Sequence, residues 1–122
     1  MFPGTVTSAR FVIGVPDLEV SAAFYREVLG FEVADMAPGW KTYRRGGCLI
    51  MAGAEPDALR PSQLGDHSYF AYMLVDDIDA YFEAVRAAGA RIRKALRAEP
   101  WGMREFAVET VDGHRIMFAQ PV

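Results

Sequence analysis

A pattern stated twice constrains this chain more than its size does. A β-branched run leads to Asp17, a helix-like stretch follows through Tyr25 and Leu29, Gly30 interrupts it, and a strand-like run starts at Phe31. Sixty residues on, from Asp17 to Asp77, the same order returns: Asp77, a helix-like stretch through Phe82 and Val85, Gly89, and a strand-like run from Ala90. Repetition at such a period decides the architecture before any single element does. Two similar modules that face one another leave a cleft between them, a natural seat for a small molecule.

Each copy has legible punctuation. Residues 6–15 alternate as a strand, with Phe11, Ile13 and Val15 on one face and Arg10 and Val12 on the other, and Pro16 ends it. Asp17 is a fitting N-cap, because its carboxylate accepts from the free N–H groups of the first turn, and Glu19 suits the positive end of the helix dipole. Leu18, Ala22, Tyr25 and Leu29 recur at helical spacing, and Gly30 supplies the left-handed residue that stops the helix. Strands are expected over residues 31–36, 40–45 and 48–52, with turns at Pro38-Gly39 and Gly46-Gly47. Residues 53–66 have no period and read as a linker with one helical turn at 57–60. A strand over 68–75, a helix with Ile78, Phe82 and Val85 buried, and strands over 90–96, 104–110 and 115–120 complete the second copy, with Asp76 and Asp77 competing for the cap. The expected fold is therefore α+β: two repeated βαβββ modules that form a curved mixed sheet around a cleft. The whole of residues 1–122 reads as a single domain, with module 1 over about 1–54, the linker over about 55–66 and module 2 over about 67–122.

Composition narrows the function classes. Half the residues are apolar, enough for a substantial core. The net charge of −3 and the scattered arginines argue against nucleic acid, which demands a basic face. No apolar run approaches the roughly 20 residues that span a bilayer, and no signal-peptide pattern opens the chain. Cys48 is the only cysteine, which excludes a disulfide framework and points to the cytoplasm.

Three segments resemble the vicinal oxygen chelate superfamily, the glyoxalase, bleomycin-resistance and extradiol dioxygenase group. They are Val15-Pro16-Asp17-Leu18 with Phe24-Tyr25 and Leu29-Gly30-Phe31; Val75-Asp76-Asp77-Ile78 with Gly89-Ala90; and Trp101-Gly102-Met103-Arg104-Glu105-Phe106-Ala107-Val108 with Asp112-Gly113 and Ile116-Met117-Phe118. The last is most similar to the bleomycin-resistance branch. The resemblance implies two half-open βαβββ modules around a concave cleft, and a homodimer.

Metal-using members of that superfamily hold a divalent ion with His, Glu or Gln side chains. Carried over position by position, the first-strand ligand falls on Arg10, the second-module ligand on Phe70 and the last-strand ligand on Met117, while the fourth strand offers Cys48, Leu49, Ile50 and Met51. Arg stays protonated and has no lone pair to donate, and Phe and Met offer no hard donor. The expectation is no metal, no cofactor and no catalytic residue. His67 and His114 read as solvated loop residues and Cys48 as a buried structural thiol.

A cleft stripped of ligands becomes apolar. Parity along the fifth strand places Ser68, Phe70, Tyr72 and Leu74 toward it and Tyr69, Ala71, Met73 and Val75 toward the helices. Trp40, Tyr43 and Trp101 near turns and strand starts are candidate rim aromatics, Met117 lies on the last strand, and Arg10, or else Arg104 or Arg115, is placed to orient an anionic group. Two function classes follow. One is metal-independent binding of a hydrophobic or aromatic small molecule, as in antibiotic sequestration, through Arg10, Trp40, Tyr43, Phe70, Tyr72, Trp101, Arg104 and Met117. The other is a metal-dependent lyase or oxygenase with displaced ligands such as His67, Glu109 and His114. A third possibility is a structural dimer whose cleft is filled by side chains.

Overall fold

A computed structural model describes residues 3–4, 6–64 and 69–122; His67 and Ser68 thus lie outside the described residues. The first module runs β1 (Phe11–Val15), α1 (Leu18–Glu27), β2 (Glu32–Ala37), β3 (Trp40–Arg45) and β4 (Cys48–Ala54). The second runs β5 (Tyr69–Leu74), α2 (Ile78–Ala87), β6 (Arg91–Ala98), β7 (Met103–Glu109) and β8 (Arg115–Pro121). Each module forms a four-stranded mixed sheet, ordered β1-β4-β3-β2 and β5-β8-β7-β6, so the duplicated α+β architecture read from the repeat is present.

The helix boundaries follow from local chemistry. Asp17 is extended and its side chain accepts from Val20 N at 3.1 Å; Asp77 does the same for Ala80 N at 3.4 Å, which settles the competition with Asp76. Gly30 at φ +77° lets the Phe31 N–H return to the Tyr25 carbonyl at 2.9 Å, and Gly89 at φ +93° lets Ala90 reach the Val85 carbonyl at 3.2 Å.

Two boundaries differ from the sequence reading. β1 starts at Phe11 rather than Val6, because its partner in the parallel ladder is β4, whose first paired residue on that side, Ile50, faces Phe11. Residues 6–10 lie outside the paired ladder and are exposed. The helical turn of the linker lies at Pro61–Leu64 instead of 57–60, where the Gln63 N–H bonds the Arg60 carbonyl and the Gln63 side chain accepts from Arg60 N.

One buried cluster draws on both modules, with Tyr25, Leu29, Tyr43 and Ile50 from the first and Met73, Tyr81, Phe106 and Phe118 from the second. In α2 Tyr81 joins Ile78 and Val85 as a buried residue, and Phe82 packs part-buried on the same core, 5.0 Å from the Phe106 ring centroid. Polar ties cross between the modules. Tyr81 donates to the Leu29 carbonyl at 2.8 Å, and Tyr43 donates to Ser21, which donates to Asp112 at 2.8 Å in the β7–β8 turn. With the helices packed on one side of each sheet, the opposite faces are left to do something else.

Candidate ligand-binding face

Strand parity sorts β7 into two faces. Arg104, Phe106 and Val108 turn to the helix side, where Arg104 clasps Asp79 of α2 through Nε (3.2 Å) and a second nitrogen (2.7 Å). Met103, Glu105, Ala107 and Glu109 therefore occupy the other face. Register brings Met117 and Lys94 beside Ala107, Ala119 beside Glu105, and Tyr72 and Leu74 beside Met117 and Ala119.

Glu105 organises this face. It is 2% exposed, yet three side chains donate to it: Tyr72 Oη at 2.9 Å, Trp101 Nε1 at 2.8 Å and Lys94 Nζ at 2.9 Å. Burial pushes its carboxyl up, but the three donors outweigh that and hold it below the usual carboxylate range. Burial and the neighbouring carboxylate push the Tyr72 phenol up, so it stays a donor. Lys94 also pairs with Glu99 at 3.1 Å and stands 5.4 Å from the Trp101 ring centroid, a cation–π contact. The polar edges of Trp101 and Tyr72 are thus pinned, while Trp101 remains 61% and Tyr72 49% exposed. Two aromatic side chains held in place and open to solvent, beside half-buried Met117 and exposed Leu74, form an apolar platform over a satisfied charge cluster.

The other sequence candidates lie elsewhere. Tyr43 is fully buried, stacked on Tyr25 at 4.4 Å between ring centroids, and donates to Ser21 rather than rimming a cleft. Arg104 is committed to Asp79 on the helix side. Trp40 lies against Gly53 of β4, so closely that a Cβ there would meet the ring at 2.8 Å. Arg10 is exposed ahead of β1. Phe70 sits at an irregularity in the β5–β8 register, half-buried edge-on to Phe11 and His114. The set brought together is Tyr72, Trp101 and Met117, joined by Lys94 and Glu105. Sequence reading passed over both, although Glu105 alternates with Arg104 and follows Trp101 by four residues.

The displaced-ligand residues are scattered. Glu109 bonds Arg91 at 3.2 Å and approaches Arg115 at 3.8 Å. His114 is 7% exposed, which corrects its reading as a solvated loop residue: the Asp112 turn tucks against α1, and Phe70 covers the ring. Its Nδ1 has no hydrogen-bond partner, and burial together with the positive charge of Arg60 pushes the imidazole down to about 4. Cys48 is half-buried with its thiol pushed up by burial. Among the described residues no group of three or more His, Cys, Asp or Glu side chains is placed to hold a metal ion. No helix among the described residues is long and apolar enough to cross a membrane.

Paired four-stranded sheets, each with one helix, and an open face lined by side chains define a βαβββ-duplicated protein of the bleomycin-resistance-like architecture. The chain belongs to the Glyoxalase/Bleomycin resistance protein/Dioxygenase superfamily, whose pattern matches residues 7–118. Among solved structures it is similar to a bleomycin-binding protein complexed with bleomycin, at TM-score 0.78 and 24% identity over 96% of this chain and 100% of that one. The bleomycin resistance determinant encoded on the transposon Tn5 is comparable, at TM-score 0.79 and 24% identity, covering 95% and 98% of the two chains. A glyoxalase family protein from Bacillus anthracis gives TM-score 0.80 at 20% identity over the full length of both. An uncharacterized protein of Mycobacterium bovis is 34% identical over 65 residues, which are 53% of this chain and 43% of that protein.

Proposed function

We propose that this protein binds a hydrophobic or aromatic small molecule without a metal, on the platform formed by Trp101, Tyr72 and Met117, and that it acts by sequestration, as in antibiotic resistance. The observation that carries this reading is the pinning of two exposed aromatic side chains to one buried carboxylate. A flat ligand stacking there loses little to ordering the site, because the rings are already fixed. Superfamily membership and the fold shared with a bleomycin-binding protein support small-molecule binding in general. The presence of Arg10, Phe70 and Met117 at the superfamily's ligand positions supports the metal-independent form. The protein works as a homodimer in the cytoplasm. The single unpaired cysteine supports a reducing compartment, and the exposed Val12 supports burial against a second copy.

The test is a panel of planar aromatic compounds screened by thermal shift, followed by titration of the wild type and Trp101→Ala. Removing the indole costs its stacking contact and its share of buried area, so affinity drops about tenfold or more. Unchanged affinity in Trp101→Ala rejects the platform. Elemental analysis of the purified protein separates the competing lyase or oxygenase reading, which requires a tightly held stoichiometric metal.

A further inference from the structure

The molecule has a second concavity that adjoins the platform at Tyr72 and Leu74. A cavity of about 660 Å³ opens on the seam between the modules, where the first residues of β1 and β4, Phe11 and Cys48, face the end of β5 and Tyr81 of α2. Its volume falls within the range of small-molecule sites, roughly 300–1,000 Å³. The β3–β4 turn lies at its edge, and Gly46 and Gly47 leave open space there: a Cβ added at either meets nothing within 4 Å.

The seam also carries a charge prepared for a ligand. Arg45 lines the cavity and is held at two points, its guanidinium carbon 4.8 Å from the Tyr81 ring centroid and one nitrogen donating to the Gly30 carbonyl at 3.2 Å. Among the described residues no carboxylate pairs with it. A guanidinium has five N–H donors in a fixed fork and matches a carboxylate in a bidentate way. Asp76 lines the same cavity and opposes a second negative charge. Phe11, Met73 and Phe118 give the same wall an apolar part.

We infer that the seam cavity is a second ligand site, separate from the platform, and that it takes an apolar monocarboxylate whose carboxylate is held by Arg45 while its hydrocarbon body lies against Phe11 and Tyr81. Tyr72 borders both sites, with its hydroxyl on Glu105 and its ring at the cavity wall.

Cys48 provides the readout. It is the only cysteine of the chain and it lines the cavity, so alkylation reports occupancy without ambiguity. Burial holds its thiol above the ordinary value, so the reaction is run at about pH 8.5 with excess iodoacetamide and followed by intact mass. The probe is 2-naphthoate, with its uncharged methyl ester as control. Saturating 2-naphthoate is expected to slow alkylation at least about fivefold, the ester much less, and Arg45→Gln to abolish the difference between them. Trp101→Ala, which removes the platform, keeps the protection. Absence of protection in the wild type overturns the inference, whether the cavity stays empty or is filled by the chain's own residues or a second copy. Protection that survives Arg45→Gln, or that disappears in Trp101→Ala, overturns it as well. The last outcome assigns the naphthoate to the platform, so failure of the seam site and failure of the platform are told apart.

Discussion

Asp112 and His114 occupy one buried turn and titrate against each other, so the protein's acid stability hides two large opposing contributions. Burial pushes the Asp112 carboxyl up to about 6, with the Ser21 hydrogen bond and Arg60 pulling it back and Asp17 adding to the rise. Burial pushes His114 down to about 4. The folded Asp112 holds its proton more tightly than the unfolded one, whose pKa is about 4. Its contribution is therefore fully present below about pH 4 and is lost as pH rises from about 4 to about 6. The folded His114 resists protonation. Its contribution is fully present above about pH 6.5 and is lost as pH falls from about 6.5 to about 4. Two to two and a half pK units correspond to about 3 kcal/mol each, and residual solvent contact at the turn reduces this to about 1–2 kcal/mol each. The two slopes share a window and have opposite signs, so in the wild type they nearly cancel.

Single substitutions uncover them. Asp112→Asn keeps an acceptor for the Ser21 hydroxyl and removes the buried charge, leaving the His114 slope: relative to wild type, stability at pH 7 rises by about 1–2 kcal/mol and the advantage shrinks toward pH 4. His114→Asn leaves the Asp112 slope, so that variant gains stability relative to wild type as pH falls from about 6 to 4. Urea denaturation at four pH values between about 4.5 and 7.5 measures this, with wild type as reference so that the other carboxylates cancel. Parallel stability profiles for all three proteins refute the reasoning, as do slopes of the same sign in the two variants.

Two further substitutions test the packing. Phe70→Asp places a charge between Phe11 and His114, so it lowers the stability of the fold by about 2–4 kcal/mol in chemical denaturation. A Phe70→Asp variant as stable as wild type and impaired only in ligand binding returns that residue to the open face. Gly53→Ala pushes a methyl into the Trp40 ring, from which it would stand 2.8 Å, and costs about 1–3 kcal/mol; the loss shrinks when Trp40→Leu makes room, and independent losses in the double variant contradict the contact.

What the sequence made legible was local or repeated. Asp17 and Asp77 cap their helices and Gly30 and Gly89 end them, because each role rests on a few neighbouring backbone groups. Tyr72 and Leu74 lie on the open face of β5, as parity required. Position within the tertiary structure was harder to read. Tyr43, flanked by Lys41, Thr42 and Arg44, reads as a rim residue until α1 covers that face of β3 and brings Ser21 to its hydroxyl. Phe70 escapes parity through a one-residue irregularity in the ladder. Glu105 acquires its three donors from β5, β6 and the loop before β7, and irregularities on both sides of Lys94 in the β6–β7 register leave no sequence period to betray that convergence.

The central claim is that aromatic ligands bind on the Trp101 platform. The chain has two tryptophans, so its two indole N–H resonances in a nitrogen-15 correlation spectrum report two places at once. Trp101 Nε1 donates to Glu105 on the open face, while Trp40 packs over Gly53 in the other sheet. Titration with a binding aromatic compound should move the Trp101 indole resonance saturably and leave that of Trp40 in place. Saturable binding that shifts Trp40 alone, or that shifts neither, contradicts the account.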